Sequence, residues 1–148
     1  MKSDLATAFS SAEASPGFLL WQITNQWQSK QRAALAPFDI THVQFVLLAS
    51  LVWDSTSDGI SQKQLAKRAK TDTMMTSQVL RTLEKKDLLA RRVSPNDKRA
   101  ILVFPTSKGI ALASKAVRVV EQVDADFFGI LGAKTTSLTS MMQTLITQ

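Results

Sequence analysis

Between Ser61 and Thr106 the chain reads SQKQLAKRAKTDTMMTSQVLRTLEKKDLLARRVSPNDKRAILVFPT, and this stretch constrains the fold more than any other. Ser61 and Gln64 stand at capping-box spacing: the serine hydroxyl accepts from the third backbone N–H while the glutamine reaches back. Leu65, Ala66 and Ala69 then recur on one side of a short helix, leaving Lys63, Lys67 and Arg68 outside. Lys70-Thr71-Asp72 breaks the pattern, and Asp72 is a good N-cap for a second helix over Asp72–Lys86. There Met75, Val79 and Leu83 recur every four residues and are expected to form the buried face. Thr73, Ser77 and Arg81 share that spacing about 160° around the axis, given about 100° per residue, with Met74 and Gln78 beside them.

Two short apolar runs follow, Leu88–Val93 and Ala100–Phe104, each with strand composition. The residues between them, Ser94-Pro95-Asn96-Asp97-Lys98, are dense in turn formers, so the pair reads as a hairpin with a basic tip. Helix, short turn, helix and hairpin, in that order, describe a winged helix-turn-helix, which sets its second helix in the DNA major groove. On that reading short hydroxyls let the helix approach base edges, and Arg81 can read guanine. Thr73, Met74, Thr76, Ser77, Gln78 and Arg81 would meet bases or adjacent sugars and phosphates. Ser61, Lys63, Lys85 and Lys98 would bind phosphates, and Arg99 would enter the minor groove. Asp97 stands two residues before Arg99, which leaves two readings open. The carboxylate braces the guanidinium in a bidentate pair, ready for a narrow, electronegative groove, or it merely neutralises a neighbouring charge. For an isolated helix an ordinary solvated face is the simpler account; the hairpin behind it favours DNA.

Charge supports this. The chain carries a net +6, and between Ser61 and Arg99 eleven Lys and Arg face four Asp and Glu, while the remainder holds seven against eight. The excess therefore lies on one segment, the footprint of a phosphate-binding surface. With no cysteine and one histidine, disulfides, thiolate metal sites and thiol redox sensing are excluded, and no metal or cofactor is expected. There is no glycine-rich phosphate loop and no clustered acid pair, so enzyme activity is not expected either. Neither a signal peptide nor a membrane-length apolar run is visible, which makes the cytoplasm the default address.

A chain of 148 residues, 45% of them hydrophobic, fits one domain spanning 1–148. Residues 1–15, rich in Ser and Ala, read as a loosely held arm. Ser15-Pro16 opens a helix that carries Phe18, Trp21, Ile23, Trp27 and Leu35, and Ala36-Pro37-Phe38-Asp39 ends it. Thr41 and Gln44 form a second capping box ahead of His42–Trp53, a helix apolar nearly all round and therefore central. Ile60 is placed to begin a short strand joining the wing. After Thr106 a helix runs to about Leu131, with Ile110, Ala113, Val117, Val120, Val123, Phe127 and Leu131 along one seam. Gly132 interrupts, and a last helix gathers Leu138, Met141, Met142, Leu145 and Ile146 on one face. The fold class is mainly α with a small β wing, a module over 40–106 flanked by dimerisation helices in 1–36 and 107–148. A seam that long exceeds what a small core covers, which favours a C₂ dimer over a closed monomer.

The segment LEKKDLLARRVSPNDKRAILVFPTSKG resembles MarR-family transcriptional regulators, in which a helix end, a D-x-R wing and a following helix start recur in this order. Leu83, Glu84, Lys85, Lys86, Leu88, Asp97, Arg99 and Thr106 match; Asp87 stands where the family has glycine, and Pro105 where it has leucine. The resemblance implies a homodimer on a palindromic double-stranded operator, usually a repressor, with a small aromatic effector bound between the dimerisation helices and the DNA module. Trp21, His42, Phe45 and Trp53 fall near that region, although aromatics at helical spacing more often serve the core. His42 reads as a ligand contact, a pH-sensitive group or an exposed turn residue. The alternative function is a winged helix used for protein contacts alone, which salt dependence would separate from phosphate binding.

Overall fold

Helix α2 (His42–Asp54) occupies the centre because its sequence leaves almost no polar face. Its N-cap Thr41 accepts from the Gln44 amide, and Gln44 Oε1 accepts from the Thr41 N–H, so the expected box is complete. Such a cap stabilises a helix start by about 1 kcal/mol. The structure is a computed structural model and describes residues 4–148. Residues 1–3 of the expected arm lie outside the described residues; the rest of it is exposed up to a short 3₁₀ turn at Ala12–Ala14.

Helix α1 (Pro16–Leu35) precedes α2, with a 3₁₀ turn at Ala36–Phe38 between them. After α2 come β1 (Ile60–Ser61), α3 (Gln62–Ala69), α4 (Thr73–Lys85), β2 (Leu89–Val93), β3 (Ile101–Pro105), α5 (Ser107–Gly129) and α6 (Lys134–Ile146). The strands form one antiparallel sheet in the order β1-β3-β2, with Val103 opposite Ile60 on one side and Arg91 on the other. The chain is thus mainly helical with a three-stranded wing, and Ile60 does join it.

Leu47, Leu48 and Leu51 of α2 meet Leu65, Leu80, Leu83, Leu89 and Val103 in the core, with Leu35, Ala113 and Ala116 closing it from the outer helices. Each fully buried leucine contributes about 2 kcal/mol of transfer free energy. Helix α5 turns Gly109, Ala113, Ala116 and Val120 inward. The expected seam is therefore split: Ala113 and Val120 are inside, but Ile110 and Leu131 are exposed. Small residues win the inner face because they let α5 approach its neighbours closely. Between α1 and α5 the tie is polar: Asp124 accepts from Trp27 Nε1 at 2.7 Å and from Gln31 Nε2 at 2.9 Å.

One corner joins α4 to the wing and to α5. Asp87 takes the left-handed conformation (φ 63°) where the resembling family has glycine. The Leu88 N–H caps the Leu83 carbonyl at 3.0 Å, as in helix C-terminal motifs. Thr106 Oγ1 donates to the Asp87 carbonyl at 2.7 Å and accepts from the Gly109 amide at 3.0 Å. Gly109 lies so close that a Cβ there would sit 1.9 Å from the Leu88 carbonyl oxygen. No single described helix is long and apolar enough to cross a membrane.

Candidate nucleic-acid interface

The turn between α3 and α4 is rigid for local reasons. The Ser61–Gln64 capping box starts α3, and Lys70 ends it with a left-handed backbone (φ 56°). Asp72 Oδ2 accepts from the Met75 amide at 2.9 Å, so α4 begins one residue after its cap. Thr76 Oγ1 donates to the Asp72 carbonyl at 2.7 Å and lies 2.6 Å from Thr71 Oγ1. That side chain is 1% exposed, which corrects the placement of Thr76 on the reading face. The buried stripe of α4 is Thr76, Leu80 and Leu83, whereas Met75 is 39% exposed and Val79 half-buried. Leu83 is common to this stripe and the expected Met75–Val79–Leu83, while the other two members shift by one residue, which turns the mean direction of the buried face by roughly 65° at about 100° per residue. The shift is cheap because the Thr76 hydroxyl finds an acceptor in its own turn, so its burial leaves no polar group unpaired.

The opposite face of α4 is open. Thr73, Met74, Gln78 and Arg81 are exposed, and Ser77 is half-buried beside them. Arg81 Nη2 donates to Ser77 Oγ at 3.1 Å, so the guanidinium lies back along the helix instead of ranging freely. Lys85 and Lys63 are exposed on the last turn of α4 and the first turn of α3. Ser61 is half-buried, and its hydroxyl accepts from the Gln64 amide at 3.1 Å while its own proton stays available to donate. Lys86 points elsewhere: its ammonium donates to the Asp39 carbonyl and lies 3.8 Å from Asp39 Oδ2.

At the wing tip Lys98 and Arg99 are exposed. Asp97 Oδ1 accepts from the backbone N–H of Arg99 at 3.0 Å, and among the described residues Asp97 makes no ion pair. This corrects both open readings of the pair. The acid braces the turn, not the guanidinium, because a two-residue offset suits an Asx-type bond to the backbone. Sequence reasoning missed a second brace. Glu84 accepts from the Arg91 N–H at 3.0 Å and from Arg91 Nε at 3.2 Å, while Arg91 Nη1 donates to Gln62 Oε1 at 3.0 Å. The signal was present as a charge between Leu89 and Val93 on one strand face.

The model of the MarR family matches residues 40–101. The chain is 44% identical over 138 residues to the HTH-type transcriptional regulator YdcH of Bacillus subtilis, a match covering 93% of this chain and 94% of the relative. This chain belongs to the MarR family of transcriptional regulators. Another relative is the HTH-type transcriptional repressor Rv2887 of Mycobacterium tuberculosis, 34% identical over 113 residues, 76% of this chain and 79% of that one. Among solved structures it is similar to MepR of S. aureus in complex with DNA, with a TM-score of 0.79 and 25% identity over 89% of this chain and 96% of the other.

Within this MarR-family chain the four aromatic residues expected around an effector do not converge. Phe45 is a core residue, whereas Trp21 and Trp53 are 67% and 84% exposed. His42 and Trp53 lie at opposite ends of α2, about 16 Å apart at 1.5 Å per residue. The family resemblance had suggested the set by its position in the chain, and position in the chain cannot tell which side of a helix a neighbour covers. His42 is half-buried, not an exposed turn residue, and packs edge-on against Trp27 with ring centroids 4.9 Å apart. Burial holds its pKa below the ordinary 6.5; the Asp124 carboxylate opposes that shift and Arg32 reinforces it. His42 also lines an open cleft of about 470 Å³ with Arg32, Val43, Val46, Ala69, Thr71 and Met75.

Proposed function

We propose that this chain is a homodimeric repressor that binds a palindromic operator, acting in the cytoplasm without enzymatic activity. One observation carries the reading. The solvent-open face of α4 and the tip of the wing, with their surplus of Lys and Arg, belong to a chain whose terminal helices leave an apolar surface uncovered. Residues 1–36 and 107–148 would pair with a second copy, and 40–106 would hold the DNA. Two-fold symmetry then sets half-site centres about one helical turn apart. Thr73, Met74, Ser77, Gln78 and Arg81 read the major groove, Arg99 enters the minor groove, and Ser61, Lys63, Lys85 and Lys98 hold phosphates. Thr76 supports the turn from inside, and Asp97 shapes the wing. A small aromatic effector, if acidic, would find Arg32 and His42 in the cleft between α1 and the α3–α4 turn.

The test is selection of duplexes from a random library, followed by fluorescence anisotropy with the selected duplex at two salt concentrations. Palindromic enrichment, steep salt dependence and a loss of roughly 2 kcal/mol in Arg81→Ala are expected. Binding indistinguishable from random DNA would overturn the operator reading.

A further inference from the structure

The inner face of strand β2 carries Leu89, Arg91 and Val93 in succession, since alternate residues share a face. Leu89 is buried in the core, Arg91 is half-buried, and Val93 is exposed. Arg91 therefore stands where the apolar core ends and the free part of the wing begins. Its strand is the sheet edge in the order β1-β3-β2, and its N–H turns outward to Glu84 instead of to another strand. Both oxygens of Glu84 are engaged, one by that amide and one by the guanidinium. The guanidinium also reaches Gln62, the first residue of α3. One side chain thus joins the last turn of α4, the wing and the start of α3. Among the described residues no other hydrogen bond or ion pair links the β2–β3 hairpin to α4.

We propose that Arg91, held by Glu84 and Gln62, is a positioning residue that sets the angle of the wing against α4, so that Arg99 and the α4 face engage one DNA site together. The proposal rests on the operator-binding reading above. Arg91 itself touches no DNA; it acts through the wing. Among the described residues, the hairpin beyond it is held by its own ladder and turn bonds and by the short pairing with β1, so a small tilt at this junction is carried to the tip. Arginine suits the place because its planar fork meets two acceptors in fixed geometry, which an ammonium does not.

The test is a double-mutant cycle on the selected duplex, with Arg91→Met and Arg99→Ala. Arg91→Met is expected to weaken binding about tenfold, and Arg99→Ala to cost less than about threefold in that background although it costs about tenfold alone. Arg91→Lys should fail to restore affinity. Losses that simply multiply would mean that Arg91 acts apart from the wing and would overturn the proposal, as would unchanged binding in Arg91→Met. A second measurement needs no DNA and uses the gentler Glu84→Gln. Amide exchange is expected to speed up at Arg91 and along the hairpin while α2 keeps its protection; uniform acceleration would overturn the brace. If the wild-type chain selects no duplex, the operator reading fails, and the exchange result still decides whether Glu84 and Arg91 hold the wing.

Discussion

The module from His42 to Pro105 and the helices at the two ends of the chain treat apolar residues in opposite ways. In the module, α2, α3 and α4 bury Phe45, Leu47, Leu48, Leu51, Leu65, Leu80 and Leu83 against one another. In α1, twenty residues long, only Gln31 and Leu35 are buried, and α6 has no buried residue at all. Phe18, Trp21, Ile23, Met141, Leu145 and Ile146 instead face outward. The charge is divided the other way, with the net positive excess between Ser61 and Arg99. One region is complete as a single chain and needs an anionic partner; the other is incomplete and needs an apolar one. A monomer with that much uncovered apolar surface is a poor stopping point.

The largest expected effect lies where the two regions join. Gly109→Ala drives a Cβ into the Leu88 backbone, which cannot retreat as a flexible side chain would. It should destabilise the protein by about 3 kcal/mol, seen as a drop of roughly 10 °C in thermal unfolding midpoint. An unchanged midpoint would show that α5 can slide on the module and that the corner is not rigid.

Next comes the open face of α6. Met141→Lys with Leu145→Lys should weaken self-association about a hundredfold, or about 2.7 kcal/mol, by sedimentation equilibrium. Secondary structure of the module should persist in the resulting monomer. Loss of all helical signal instead would erase the contrast, since the module would then depend on its flanks.

A smaller effect tests the reading face itself. Met74 is 75% exposed on α4, and an apolar tip of that kind suits the thymine methyl group. Replacing the contacted thymine of the selected duplex by deoxyuridine should weaken the wild type roughly fourfold, near the 0.8 kcal/mol of one buried methyl. The Met74→Ala variant should not distinguish the two duplexes; equal discrimination by both proteins would remove Met74 from the recognition set.

The smallest concerns His42, whose ring lies between α2 and Trp27 of α1. Its folded pKa is lowered, so the unfolded chain takes up the proton first and stability falls as pH drops below 6.5. The unfolding midpoint of the wild type should therefore decline more between pH 8 and pH 5 than that of His42→Asn. Parallel curves would mean that the junction between the regions is insensitive to this proton.

Much was legible from local chemistry because the signals are local. Thr41, Ser61, Asp72 and Thr106 all cap the helices they were expected to start or precede. Asp87 turns the corner in the left-handed form, and the hairpin pairs Leu89–Val93 with Ile101–Pro105. Such features depend on a few neighbouring residues and on the spacing of apolar positions, and a sequence displays both. The errors share a different cause. Thr76 was placed on the wrong side of α4, and Phe45 was offered for a pocket. Each depends on which partner covers a helix face, and periodicity marks an apolar stripe without naming what lies against it. The brace from Glu84 to Arg91 and Gln62 spans three elements, with 21 residues between Gln62 and Glu84 in the chain. Its members look like ordinary surface polar residues until the strand edge, the helix end and the α3 start are brought together. The sequence by itself determined the elements, their caps and the location of the charge. Only tertiary packing decided which side of each helix is inside, how closely α5 meets the Leu88 backbone, and what holds the wing in place, because those depend on distances between residues far apart in the chain.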